Sequence, residues 1–387
     1  MPATRRDRRW KWLVRGPALL ALLVVSDLVV SASVQQLRST RAGRQMIEAE
    51  LAQEPYRSAD WARAYWNEVA EYEEQWDPYF VYRVGDLQGP LITVKDGVRR
   101  TYTPPARTDT PRRLLFVFGG SAAWGHGARD EHTLPSWLAR VAEEQGDSWE
   151  VRNYAESGWV NWQGIVYLLQ KLADGERPDV VIFYSGVNEV LSARYWPAVR
   201  RPIRNAEIYP TAMSEWILQR DWPLVRTWDY YRKTSLFFGY LTGYDRHALP
   251  PPSTDSAGIS RLVRRDYLAD KAVVENLGRA YGFKTVFVWQ VTVAAKKHLT
   301  AQEKTYAGWL AGPVEPRPAL DWWAMPGDLR DLYQSIGRDV VSQPAVAEVG
   351  DAFEGVTSTA FIDWMHPTES GNEHIARALH RWMMKIF

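Results

Sequence analysis

The chain of 387 residues contains no cysteine. That excludes disulfide staples, thiolate metal ligands, a thiol nucleophile and lipidation through a cysteine side chain. It also lacks an excess of either charge. Lys and Arg number 47 against 46 Asp and Glu, for a net of +1, which argues against a nucleic-acid binder working through overall charge. With 46% apolar and 24% charged residues, the composition is neither disordered nor fibrous. The length implies about two domains, or one elaborated domain, with room for a sizeable core. What the chain has in surplus is tryptophan, 20 residues of it.

The balanced charge hides an asymmetry. Residues 1–15 hold Arg5, Arg6, Arg8, Arg9, Lys11 and Arg15 against Asp7, a net of +5, so the remainder carries −4. A mostly apolar run, GPALLALLVVSDLVVSASV (16–34), follows the basic tip. As a helix it is about 28 Å long, close to one hydrocarbon thickness. Positive charge ahead of it keeps the N-terminus cytoplasmic and sends the rest across. A signal anchor over 16–37 in the inner membrane is expected, with the catalytic part outside the cytoplasm. The competing reading is a cleaved signal peptide, with small residues at Val30-Ser31-Ala32. Asp27 interrupts the run, at a cost of about 2.5–3.5 kcal/mol if it sits mid-membrane. Either it lies hydrated near the interface, or it contacts a partner membrane helix.

Beyond the anchor, 38–113 reads as a helical stalk followed by a small antiparallel β unit. Ile47, Leu51, Trp61, Tyr65, Trp66 and Val69 recur at helical intervals. Over 79–103, YFVYRV, PLITVK and RRTYT are separated by turn signals. From Leu114 to the C-terminus, short apolar strands alternate with helical stretches. LLFVF (114–118), EVRNYA (150–155), DVVIFYS (179–185), KTVFVWQ (284–290) and AFID (360–363) read as strands. A Trp/Pro-rich insertion occupies about 192–258. The alternation implies a parallel sheet covered by helices on both faces, with ligands beyond the carboxyl ends of the strands.

Chemistry-bearing residues sit at those ends. Gly119-Gly120-Ser121 lets the chain turn sharply and leaves a hydroxyl in the open. Gly158 lets a backbone N–H approach a ligand closely. Asn188 offers a neutral amide donor suited to a developing oxyanion. Asp363, three residues before His366, suits a base and its orienting group beside one hydroxyl.

Four blocks, FGGSAAWG, NYAESG, SGVNE and DWMHP, resemble those of the SGNH/GDSL hydrolase superfamily, over about 114–191 and 261–387. The resemblance implies a flavodoxin-like three-layer α/β/α sandwich and an enzyme acting on O-acyl groups. It implies Ser121 as nucleophile, His366 as general base and Asp363 as the group orienting it. The oxyanion hole would be the backbone N–H groups of Ser121 and Gly158 with the side chain of Asn188. Two departures stand out: Gly120 where many members have aspartate, and Glu189 where aspartate commonly follows the asparagine. More narrowly, the chain resembles membrane-anchored bacterial members associated with surface polysaccharides.

The expected activity is a serine esterase removing O-acyl groups, foremost O-acetyl, from a carbohydrate or surface polysaccharide through an acyl-serine. The alternatives are a polysaccharide O-acyltransferase using the same triad and a catalytically silent anchored scaffold. Expected partners are the ester-bearing carbohydrate or acyl substrate, the membrane through the N-terminal helix and a membrane partner protein, with no nucleic acid. Trp124, Trp159 and Trp364 adjoin the catalytic blocks and are candidate walls of a substrate cleft; filling the core is the alternative. Trp196, Trp216, Trp222 and Trp228 lie in the insertion. So do Arg200, Arg201, Arg204, Arg220 and Arg226, which suit either an acidic polymer or a solvated face. His126 and His132, six residues apart, form no metal signature, and no metal or other cofactor is expected.

Overall fold

A computed structural model describes residues 5–105, 111–198, 201, 228, 231, 234–242, 253–309 and 329–386. The chain divides into two units: residues 47–206 with 250–387, and residues 1–46 with 207–249.

The larger unit begins in the last turn of α1 (Arg5–Leu51) and continues through α2 (Ala62–Glu71). An antiparallel pair follows, β1 (Glu74–Asp77) with β2 (Val81–Val84). Three short antiparallel strands come next: β3 (Leu87–Gln88), β4 (Thr93–Lys95) and β5 (Val98–Arg99). The parallel strands are β6 (Arg112–Gly119), β7 (Ser148–Asn153), β8 (Val180–Ser185), β9 (Lys284–Trp289) and β10 (Val346–Ala347). The sheet runs β10-β9-β8-β6-β7-β5-β4-β3. Taken alone, the parallel strands have the flavodoxin-like doubly wound order, whose switch point lies between β6 and β8. Every residue of β8 is buried, which is why VVIFYS is apolar without alternation.

The helices are α3 (Ser121–Trp124), α4 (Leu134–Glu144), α5 (Asn161–Ala173), α6 (Val187–Tyr195), α7 (Leu236–Thr242, in the smaller unit), α8 (Ser256–Tyr281), α9 (Ala301–Trp309), α10 (Leu329–Val341) and α11 (Glu369–Ile386). Within the larger unit two sets of helices flank the sheet: α4 packs on β7 and α11, whereas α8 packs on α5, α6, α10 and β9. Residue pairs Val117↔Asn153, Gly119↔Tyr184 and Ser185↔Trp289 are in register. That register brings the carboxyl ends of β6, β7, β8 and β9 to one edge of the sheet.

Three sequence expectations change. The antiparallel strands over 79–103 do not form one unit: β2 pairs with β1 in a two-stranded sheet of its own, whereas β3, β4 and β5 continue the main sheet, β5 pairing with β7 through Arg99↔Asn153. The residues from Ile47 to Glu71 are not a free stalk, because Tyr56, Tyr65 and Trp66 are buried in the core. Three neighbouring large aromatics make too much apolar surface to leave around a solvated helix. AFID is not a sheet strand. It forms one isolated bridge, Phe361↔Pro367, and the edge position beside β9 is taken by Val346–Ala347.

In the smaller unit, α1 carries an apolar span whose Leu19, Leu20, Leu22, Leu23, Val29 and Val30 are exposed. Asp27 Oδ1 accepts a hydrogen bond from Ser31 Oγ at 3.1 Å, and Asp27 Oδ2 accepts one from Ser235 Oγ. The polar residue in the apolar run is therefore engaged by its own chain. Of the insertion residues, Trp216, Trp222, Arg200, Arg204, Arg220 and Arg226 lie outside the described residues.

Candidate active site

Ser121 follows β6 and opens α3, so its N–H has no partner within the helix. His366 and Asp363 lie in the tight loop that precedes α11. The structure brings the three together. Ser121 Oγ lies 2.7 Å from His366 Nε2, and His366 Nδ1 lies 2.6 Å from Asp363 Oδ2. A carboxylate facing Nδ1 selects the tautomer protonated there, which leaves Nε2 as the acceptor for the serine hydroxyl. Asp363 Oδ1 accepts from the backbone N–H groups of Met365 (2.8 Å) and His366 (2.7 Å). Burial alone would raise the Asp363 carboxyl, but the His366 ring and these hydrogen bonds outweigh it and hold the group below the usual range. Asp363 therefore stays ionised. The loop is pinned by Gln290 Nε2, which donates to Met365 O (3.0 Å), and by Val293 N, which donates to Trp364 O (2.9 Å).

The donors expected for the oxyanion are tied to one another. Asn188 Nδ2 donates to Trp159 O at 2.9 Å, next in the chain to Gly158. A Cβ added at Gly120, next to Ser121, would lie 2.2 Å from Asn188 Nδ2. The Asn188 amide is thus wedged between the neighbours of Ser121 and Gly158, with a second N–H to spare. That close approach explains the glycine at 120. Gly158 has φ +74°, a conformation that favours glycine.

Glu189 keeps this arrangement in place. Its Oε1 accepts from Asn161 N (2.8 Å) and its Oε2 from Gly186 N (2.7 Å). One carboxylate thereby joins the start of α5 to the start of α6, where Asn188 sits. Burial pushes the Glu189 carboxyl up to about 7, against the pull of these backbone N–H groups.

The three adjoining tryptophans are not cleft walls. Trp124, Trp159 and Trp364 are only 1–3% exposed. Trp124 lies under the Arg99 guanidinium at 4.1 Å. Trp159 packs on Phe80 at 4.9 Å and donates from Nε1 to Tyr82 O at 3.0 Å. A substrate ring cannot stack on a face already covered by protein. In the insertion, Trp196 is half-buried and Trp228 is exposed. Arg201 is committed within the fold: it pairs with Asp270 at 3.0 Å and covers Trp162 at 4.4 Å.

Sequence reasoning missed a support layer beneath the turn that carries Ser121. Arg99, on β5, is 1% exposed. Its Nε donates to Asp130 Oδ1 at 3.0 Å; its Nη atoms donate to Trp124 O (3.0 Å), Gly125 O (2.9 Å) and Ala128 O (2.6 Å). On the other side, Tyr56 Oη donates to Gly127 O and Tyr65 Oη accepts from Gly127 N, both at 2.7 Å. Gly125 N and His126 N in turn donate to Ser121 O at 2.9 Å. The signal was faint: an arginine among RRTYT and two tyrosines in a helical stretch, all far from the motifs. His126, which carries no metal signature in the sequence, lies beside His366. Its ring centroid lies 4.7 Å from that of His366. Burial and the neighbouring His366 push it down to about 3, so it is neutral at working pH.

No family model and no curated protein sequence matches the chain. Among solved structures it is similar to an acetyl xylan esterase, AlAXEase: 13% identity, 70% of this chain and 98% of that one, TM-score 0.35. It is also similar to TesA: 14% identity, 71% and 100% of the two chains, TM-score 0.35. A third is a family 3 carbohydrate esterase from Clostridium thermocellum: 13% identity, 71% and 97%, TM-score 0.33. At such identities and scores these likenesses do not assign a role to any residue, and the chemistry is argued from the site itself.

Proposed function

We propose that the chain is a membrane-anchored serine hydrolase of the SGNH/GDSL type that removes O-acyl groups, foremost acetyl, from a carbohydrate. The observation that carries the reading is the continuous line Ser121 Oγ–His366 Nε2/Nδ1–Asp363 Oδ2, at 2.7 and 2.6 Å, beside the wedged amide of Asn188.

The chemistry follows from those positions. His366 Nε2 takes the Ser121 proton as Oγ bonds to the ester carbonyl carbon. The imidazolium is stabilised by ionised Asp363. The carbonyl π electrons move onto oxygen, and that oxyanion is held by the N–H groups of Ser121 and Gly158 and the spare N–H of Asn188; one such donor is worth about 10²–10³ in rate. The tetrahedral species collapses, the C–O bond to the sugar breaks, and His366 returns the proton to the leaving alkoxide. A water molecule, deprotonated by His366, then attacks the acyl-Ser121 carbonyl and releases the carboxylic acid and free serine.

Hydrolysis of p-nitrophenyl acetate and of an acetylated oligosaccharide by the full-length protein tests this, with Ser121→Ala as the comparison. Background rates for both proteins, with no fluorophosphonate adduct on Ser121, refute it. Transfer of the acyl group to a second sugar hydroxyl is a further reading. It is favoured by the enclosure of Ser121 (7% exposed) and His366 (4%), which limits water at the acyl-serine. Acylated acceptor formed faster than free acetate, when an oligosaccharide acceptor is present, would establish transfer.

A further inference from the structure

Asp27 is an ionisable group within the apolar span of α1, and of its two partners one lies a turn further along the helix and the other 208 residues along the chain. Ser31 Oγ and Ser235 Oγ donate to its two carboxylate oxygens. Ser31 Oγ also accepts from Leu236 N at 2.9 Å, and Gln35 Nε2 donates to Thr234 O at 2.9 Å. Ser235 Oγ accepts from Phe238 N at 2.9 Å, which caps α7. The contacts Asp27, Ser31 and Gln35 are spaced i, i+4, i+8, one face of α1. Both Ser31 and Ser235 are almost fully buried, at 1% and 4%.

What this docking leaves outward is apolar and aromatic. Phe237 is 57% exposed, Tyr240 87% and Leu241 63%. Trp228, 56% exposed, packs against Tyr231 and Phe238. These residues continue the exposed Leu/Val surface of α1 within the same unit. In water such a surface is a liability. In a bilayer it is the expected exterior, with aromatics suited to the interface. The backbone fits the same setting. At membrane depth a broken helix start is tolerated only where neighbours satisfy its N–H groups, and here Ser31 and Ser235 satisfy those of Leu236 and Phe238. Arg226, Arg232 and Lys233 precede this segment in sequence, a basic flank suited to lipid headgroups.

We propose that α7 is a second membrane-contacting element, folded back onto α1 through Asp27. Its Phe237, Tyr240 and Leu241 face lipid in the half of the bilayer away from the basic tip. The inference rests on the anchoring of α1 proposed above.

The absence of cysteine makes the test direct. Single-cysteine variants of the full-length protein (Phe237→Cys, Tyr240→Cys, Leu241→Cys) are labelled with an environment-sensitive fluorophore and reconstituted into phosphatidylcholine/phosphatidylglycerol vesicles. Leu22→Cys reports on the anchor, and Leu169→Cys, exposed on α5, is the aqueous control. Circular dichroism establishes that each variant is folded. Quenching of the 237, 240 and 241 probes by spin-labelled lipid, as at 22, and protection from iodide are expected. Adding Ser235→Ala to Phe237→Cys should cause loss of lipid quenching at 237 but not at 22. Lipid contact at 22 with iodide access at all three α7 positions overturns the proposal while leaving the anchor intact. Iodide access at 22 as well overturns the anchor itself. Probes shielded from both quenchers show that protein covers this face, which also overturns it. Unchanged quenching in the Ser235→Ala background removes Asp27 as the device that holds α7.

Discussion

Arg99 is the residue on which the nucleophile turn should depend most, although it touches no substrate. Its guanidinium satisfies three carbonyls between Trp124 and Ala128 and pairs with Asp130. Arg99→Ala takes one donor from each of those carbonyls, leaving Asn153 Nδ2 on Trp124 O and Ala128 N on Gly125 O, and leaves Asp130 with only Arg100, itself about half-exposed, and the Thr93 N–H. Removing one partner of a buried ion pair costs about 3–5 kcal/mol, and the lost stacking on Trp124 adds roughly 1 kcal/mol. Against a typical stability of about 5–15 kcal/mol, the variant remains folded at low temperature but melts early. The catalytic effect is separate. Gly125 N and His126 N hold the Ser121 carbonyl, so a looser turn misplaces Oγ, and an error near 1 Å can cost about 10²-fold. Arg99→Lys discriminates between the two effects. Its ammonium restores a charge beside Asp130 but cannot reproduce the planar fork, so stability should recover more than kcat. Urea denaturation and p-nitrophenyl acetate kinetics on the full-length protein read both. Unchanged kcat and unchanged urea midpoint in Arg99→Ala would refute the reasoning, as would full recovery of kcat by lysine.

Gly120→Ala should lower kcat by about 10²–10³, the value of one oxyanion donor, because its Cβ displaces the Asn188 amide; an unchanged kcat would place that amide outside the reaction. Burial raises the Glu156 carboxyl to about 7. It therefore stays protonated in the fold where the unfolded chain has ionised. Its contribution, on the order of 3 kcal/mol, is complete below pH 4.5 and is lost as pH rises through 7. Glu156→Gln should flatten the fall in melting temperature between pH 5 and 8, and an unaltered slope counts against it. Trp159→Phe should lower the melting temperature and leave KM for an acetylated oligosaccharide unchanged. A raised KM with unaltered stability would return Trp159 to the cleft.

The site was legible in sequence where local chemistry dictates local shape. Gly119-Gly120-Ser121, Gly158, Asn188 and Asp363-x-x-His366 announced themselves because turns, close approaches and donor types need particular residues at short spacing. The parallel strands were legible because β8 and its neighbours are buried on both faces and so run apolar. Burial of Trp124, Trp159 and Trp364 was not legible, since an aromatic beside a motif serves a cleft or a core equally well. Nor was the edge strand, where Val346–Ala347 displaced the more strand-like AFID, because pairing depends on which segment the fold presents to β9.

By itself the sequence determined a basic tip, one apolar span, an alternation of buried strands and helices and the residue types suited to acyl chemistry. Only the tertiary structure decided what supports that site and what answers Asp27. Arg99 reaches the nucleophile turn because β5 joins the sheet edge, and Asp27 meets Ser235 across 208 positions of chain. Long-range partners of this kind leave no periodicity behind. They are chosen by the need to satisfy a buried charge or carbonyl, and that need exists only once the fold has removed water.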